Sequence, residues 1–253
     1  ELGLCDPSYE SYSSEDRLER AKSMSRFKSF AQSPQYTVLS EECEYAESSD
    51  DTLLIDSQGF EGRHTETSFS TFCEMTIEDS EGNKYSGFWW EATPKFRDLN
   101  LNECSQKALD KAVRQIAPKS RRGGRYKMVV DCNAASRLVS PLFTALNASS
   151  IQQKMSFLEG SLDRKIFPEG MTLMDMARTP GESGSRLFDT EGVATKDCPI
   201  IENGRICQYF VSTYMSKKMD IPPTVEDLSR PVLRPYLRDG DLSSEEKGVS
   251  YVL

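Results

Sequence analysis

The feature that most constrains the fold is a strict alternation between residues 68 and 78. Phe69, Thr71, Cys73, Met75 and Ile77 share one face of an extended chain, while Ser68, Ser70, Glu74 and Glu78 share the other. A period of two over this length is incompatible with an α-helix. It marks a strand with one buried and one wet face, as in antiparallel sheet. Asp79-Ser80-Glu81-Gly82-Asn83 then supplies turn residues, and 85–91 returns as a second strand. Asp56-Ser57-Gln58-Gly59 is a further turn and places 53–55 on the strand before it. Asn203-Gly204, the strongest kind of short hairpin signal, joins strands expected at 198–201 and 205–211.

Helical periodicity is confined to a few stretches. Leu18, Ala21, Met24, Phe27 and Phe30 or Ala31 form one apolar stripe, with Ser13 and Asp16 as a capping box and Pro34 beyond the end. This segment is acidic: the first fifty residues carry −6 of the chain's −9. A helix over 102–117 puts Cys104, Ala108, Ala112 and Ile116 on one side and stops at Pro118. A basic loop, 119–125, leads into a buried strand at 127–131. The helix that follows, over about 133–147, carries Pro141 in its interior, which predicts a kink or a break. Strands outweigh helices, so the expected class is α+β: mainly antiparallel sheet with a few packed helices.

Charge and cysteine usage exclude several functions. With 31 basic against 40 acidic residues, the chain offers no general surface for nucleic acid or anionic membranes. No apolar run approaches the ~18 residues of a membrane span. The seven cysteines, at 5, 43, 73, 104, 132, 198 and 207, make no CxxC pair, so zinc ribbons and thioredoxin-like motifs are absent. Their odd number and irregular spacing point to reduced thiols and a cytoplasmic setting. His64 is the only histidine, so a Ser-His-Asp or Cys-His mechanism would have to use it. A lone imidazole in a polar strand is ordinarily a solvated surface residue. The 119–125 loop lacks phosphate-loop spacing, Asp239-Gly240-Asp241 lacks the glycine position of a calcium loop, and Asn147-Ala148-Ser149 is a sequon without consequence in the cytoplasm.

The densest unusual stretch is 180–204. It clusters Gly184, Ser185, Arg186, Phe188, Asp189, Glu191 and Gly192, and then Glu202, Asn203 and Gly204. Glycines there permit positive φ while the acids cap turns and pair with Arg186. The same irregular loop has exposed backbone groups to offer an extended peptide.

This stretch resembles the core signature of the TldD/PmbA family, also known as modulators of DNA gyrase: Gly-Ser-x-x-Phe-Asp-x-Glu-Gly-Val at 184–193, Ile-Glu-Asn-Gly at 201–204, and a Tyr-rich segment ending in Tyr-x-x-x-Lys at 214–218. Residues 56–62, 67–70 and 86–90 are similar to its earlier strands. The resemblance runs from about 53 to 219 and more weakly over 230–246. It implies an acidic helical segment at 1–34, the end of a preceding domain or a linker, and a family core at 35–253 that is C-terminally incomplete. It also implies a cytoplasmic bacterial metallopeptidase system of two related subunits acting in proteolysis and peptide maturation. One subunit binds zinc through an HExxxH helix; the TldE/PmbA-like one lacks that motif. Where the motif would fall, this chain reads Ser136-Arg137-Leu138-Val139-Ser140-Pro141, which cannot replace two imidazoles and a general base. The expectation is therefore a metal-free subunit with no catalytic, cofactor or metal residues of its own. It would dimerise with a TldD-like partner or with itself and meet peptide or unfolded protein as substrate. The alternative is a stand-alone adaptor for peptides or a topoisomerase. Phe88, Trp89 and Trp90 cannot all enter one core from one strand, which leaves an aromatic for an interface.

Overall fold

A computed structural model describes residues 1–25, 33–117, 122–125, 128, 130, 132–234 and 251–252. In chain order these form α1 (Ser14–Ser23), β1 (Tyr36–Ile55), β2 (Glu61–Asp79), β3 (Lys84–Thr93), α2 (Leu101–Val113), α3 (Cys132–Leu146), α4 (Ala148–Gln152), β4 (Thr172–Asp175), β5 (Cys198–Glu202), β6 (Arg205–Ile206), α5 (Thr213–Met219), β7 (Pro231–Arg234) and β8 (Tyr251–Val252). The strands build two sheets, ordered β1-β2-β3 and β6-β5-β4-β7-β8, and every strand pairing described is antiparallel. The class is α+β. The chain divides into two compact units, one of residues 3–51 and 65–125, the other of residues 1–2, 52–64 and 126–253.

The first unit is built on the alternating strand. Phe69, Thr71, Cys73, Met75 and Ile77 are all buried. β2 pairs with β3 in an unbroken register from Phe69 opposite Thr93 to Glu78 opposite Lys84. Cys104, Ala108, Leu109 and Ala112 of α2 pack on this face together with Met24 and Val38. The close approach of α2 depends on Gly87, where a Cβ would stand 2.4 Å from both the Ala108 carbonyl oxygen and the Ala112 nitrogen. Alternation along β3 sends Trp89 toward α2, where Lys107 and Lys111 lie over its ring at 4.8 and 4.7 Å. Phe88 and Trp90 point the other way and stay 48% and 52% exposed.

Several expectations need adjusting here. The capping box forms, with the Asp16 amide donating to Ser13 Oγ and the Ser13 amide to the Asp16 carboxylate. Leu18, however, is exposed; α1 docks instead through Arg17, paired with Glu47, and Arg20, whose guanidinium lies 3.5 Å from the Tyr12 ring and 3.6 Å from the Phe96 ring. Of the expected stripe Met24 is buried, while at Leu18's turn the Arg20 guanidinium stacked on aromatic rings does the docking. Phe27, Phe30 and Ala31 lie outside the described residues. α2 ends at Val113, with Ile116 in the turn beyond it. Of the strand expected at 127–131 only Met128 and Val130 are described; neither is in a strand, and Met128 is exposed.

In the second unit Leu146, Leu158, Leu173, Ile200, Ile201, Ile206 and Phe210 form the core. α3 does not break at Pro141, which sits on the exposed side of the helix. The Asn203-Gly204 hairpin forms with φ of +49° and +80°, the left-handed pair a two-residue primed turn requires. β6 is shorter than expected because the chain leaves the sheet. The Phe210 amide donates to the Leu146 carbonyl, and Ala148 donates back to Phe210, so residues after 206 serve the α3–α4 junction. Among the described residues no helix is long and apolar enough to cross a membrane.

Candidate functional site

Residues of the signature stretch and the outer end of the β1–β2 hairpin, all within the second unit, line a cleft of about 230 Å³. Its walls are Thr52, Leu53, Leu54 and His64 from the hairpin, and Arg186, Phe188, Asp189 and Thr190 from the loop. The two segments meet through Phe60 and Phe188, whose rings pack edge to face at 5.2 Å. A Cβ on Gly62 would meet the Phe188 ring at 2.7 Å, and one on Gly192 the Phe60 ring at 3.0 Å, so both glycines are needed for this closeness.

The loop's charged residues are committed to holding it. The Asp189 carboxylate is buried and accepts the amides of Glu191, Val193 and Glu226 at 3.0, 2.9 and 3.1 Å. Arg186 donates through Nε to Ser229 Oγ at 2.8 Å and through Nη2 to the carbonyls of Leu228 and Asp227. Glu191 accepts from the Thr213 amide and hydroxyl, both at 2.8 Å, placing an anion on the first turn of α5. Ser185 is buried and donates to the Thr179 carbonyl. Gly184 passes 3.0 Å, measured from a built Cβ, below the Ser229 carbonyl. Behind this layer Asp175 accepts the amides of Ser229 and Arg230, and burial pushes its carboxyl above the usual range.

Seven of the ten residues singled out in the sequence therefore belong to one loop, and Arg186, Phe188 and Asp189 reach the cleft. Glu202, Asn203 and Gly204 do not line it. They form the β5–β6 turn against 167–172, where the Gly204 amide donates to the Met171 carbonyl and the Asn203 amide to Thr172 Oγ1. Thr52, Leu53, Leu54 and Glu226 were not singled out in the sequence, since nothing local says which distant segments will meet the loop. Asn147 of the sequon caps α4 by accepting the Ser149 amide. Asp239 and Asp241 lie outside the described residues.

His64 is half-buried in the cleft wall, and the other residues lining the cleft include no serine or cysteine. A zinc peptidase of the HExxxH kind needs two imidazoles one helical turn apart; α3, Cys132–Leu146, contains no histidine. Among the described residues no group of three or more His, Cys, Asp and Glu side chains is arranged to hold a metal ion. The donor set does not fit catalytic zinc.

Two family models match the chain: the PmbA/TldA metallopeptidase central domain over residues 7–116 and the PmbA/TldA metallopeptidase C-terminal domain over residues 123–245. A metalloprotease of Methanothermobacter thermautotrophicus is 28% identical over 220 residues, covering 83% of this chain and 48% of its own length. A crystal structure of a candidate modulator of DNA gyrase from Bacteroides thetaiotaomicron superposes with a TM-score of 0.86 at 34% identity, over 92% of this chain and 53% of that one. TldE of Thermococcus kodakarensis, 18% identical, shares the fold at a TM-score of 0.62 over 87% of this chain and 49% of its own. The chain spans about half the length of these relatives. Two adjoining domain models, matched in order over residues 7–116 and 123–245, make this chain a member of the TldD/PmbA family.

Proposed function

We propose that this chain is the metal-free, TldE/PmbA-like subunit of a TldD/TldE-type metallopeptidase system acting in proteolysis and peptide maturation in the cytoplasm. The observation that carries this is the donor set: one histidine in 253 residues, on a strand end rather than on α3. Such a chain supplies neither the paired imidazoles nor the general base that a zinc peptidase uses. What it supplies is a cleft with apolar walls beside exposed loop backbone, of a size for one or two side chains of an extended peptide. Zinc, and the reaction, belong to a TldD-like partner; the substrate is peptide or unfolded protein, with no direct contact to nucleic acid or membrane.

The test is reconstitution. This chain, an HExxxH-bearing TldD-like subunit and an unfolded peptide are assayed separately and together. Hydrolysis is expected only with the HExxxH subunit present, faster in the mixture, and abolished by a chelator. Chelator-sensitive cleavage by this chain alone, with stoichiometric zinc, would overturn the assignment. A mixture no faster than the HExxxH subunit alone would instead favour a stand-alone peptide- or topoisomerase-binding adaptor.

A further inference from the structure

Three thiols converge in the core of the first unit. Cys73 of β2 and Cys104 of α2 are fully buried, while Cys43 of β1 is half-exposed on the neighbouring strand. The Cys43 and Cys73 sulfurs stand 2.9 Å apart. This follows from register. At the hairpin turn the Asp56 amide donates to the Phe60 carbonyl, and thirteen residues down the strand the same register sets Cys43 opposite Cys73; Ser70 Oγ bonding the Ala46 carbonyl agrees with it. Hydrogen-bonded and non-hydrogen-bonded pairs alternate along an antiparallel ladder, so an odd number of steps from the bonded 56–60 pair makes 43–73 a non-hydrogen-bonded pair. Facing Cα atoms are then only about 4.5 Å apart, inside the range a disulfide spans.

We propose that Cys43 and Cys73 form a reversible oxidative modification site, closed as a cross-strand disulfide by exchange with a low-molecular-weight disulfide. The Cys43 thiolate, the one with solvent access, attacks a sulfur of the small disulfide; that S–S bond breaks, one small thiolate leaves, and a mixed disulfide forms. Cys73 then attacks Cys43 Sγ and expels the second small thiolate. Two protein thiols are oxidised, one small disulfide is reduced to two thiols, and the two cysteine protons end on those leaving groups. Cys104 does not compete for the first step, because it is shielded from solvent and its thiol donates to the Trp89 carbonyl. Ser105 Oγ, 3.5 Å from Cys43 and 3.4 Å from Cys73, is held by its bond to the Met24 carbonyl and packs beside the pair. The ring so closed runs from residue 43 to residue 73 and contains all of 52–64, the segment that lines the cleft.

Hydrogen bonding among the thiols, followed by burial, holds Cys43 protonated, and the contact with Cys104 pushes Cys73 up to about 11. The whole chain is therefore offered oxidised glutathione at about pH 9, where more thiolate is present, then alkylated in denaturant and mapped as peptides. The expected product links 43 to 73, has lost two hydrogens, melts roughly 5 °C or more higher and reverts with dithiothreitol. Cys43→Ser should abolish the link and leave Cys73 alkylatable, whereas Cys104→Ala should retain it. Glutathione on exposed Cys5 reports that the reagent acted. With Cys5 modified, either a persistent glutathione adduct on Cys43, an unmodified Cys43, or a 73–104 link in place of 43–73 overturns the proposal.

Discussion

Asp189 illustrates how one buried carboxylate can organise a whole loop. Its three amide donors come from Glu191, Val193 and Glu226, so Asp189→Ala strands donors that have no other partner among the described residues. The expected loss is about 3 kcal/mol in urea denaturation, with Asp189→Asn, which keeps one acceptor oxygen, losing less. Asp6 gives a pH dependence. Burial alone would raise its carboxyl, but bonds from the Ser8 hydroxyl and amide and from the Phe96 amide outweigh that and hold it below 3.8. A carboxyl depressed in the folded state contributes stability that is present above its unfolded value and lost as pH falls through the folded one. Acid titration of stability should therefore show wild type losing its advantage over Asp6→Asn below about pH 4; parallel curves there would contradict this. Residue roles of this kind were half legible. The sequence marks Asp189 as a turn cap and Arg186 as the ion-pair partner of the loop acids; in the fold Arg186 instead donates to Ser229 Oγ and the carbonyls of Asp227 and Leu228.

At the scale of elements, the α2–β3 contact brings two backbones close together, and Gly87 is its condition. Gly87→Ala would drive a methyl into the α2 backbone at Ala108 and Ala112. Backbone cannot rotate away as a side chain can, so the helix must lift, at an expected cost of about 2–3 kcal/mol in thermal or urea unfolding. An unchanged midpoint would mean that α2 is not seated as described. The first hairpins and α2 were readable because their periodicity and turn residues are local. α4, α5, β4 and β7 were not: each is seven residues or fewer, too short to show a period. They exist because tertiary partners receive their ends, as Ser212 and Glu191 do for α5. Leu18 makes the converse point, since an apolar residue at helical spacing need not be buried when neighbouring arginines find aromatic faces.

For the whole molecule, the exposed face of the first sheet carries Phe88 and Trp90, with Phe72 stacked on Phe88 at 6.1 Å. If the chain works as one subunit of a pair, this face is the expected seat of the partner. Phe88→Ser with Trp90→Ser should weaken association by about 30-fold or more while leaving the melting temperature of the isolated chain nearly unchanged. Light scattering that shows equal association for both proteins would remove this face from consideration. The sequence by itself determined the antiparallel α+β class, the sheet faces and the Asn-Gly hairpin, because each depends on residue type and short-range spacing. Only the tertiary structure decided that the 52–64 hairpin end meets the 184–192 loop, that Asp175 and Asp189 hold the segment at 226–230, and that Cys43 faces Cys73. Those contacts join residues 30 to more than 100 positions apart, and chain connectivity leaves such pairings open until sheet register and core packing select one.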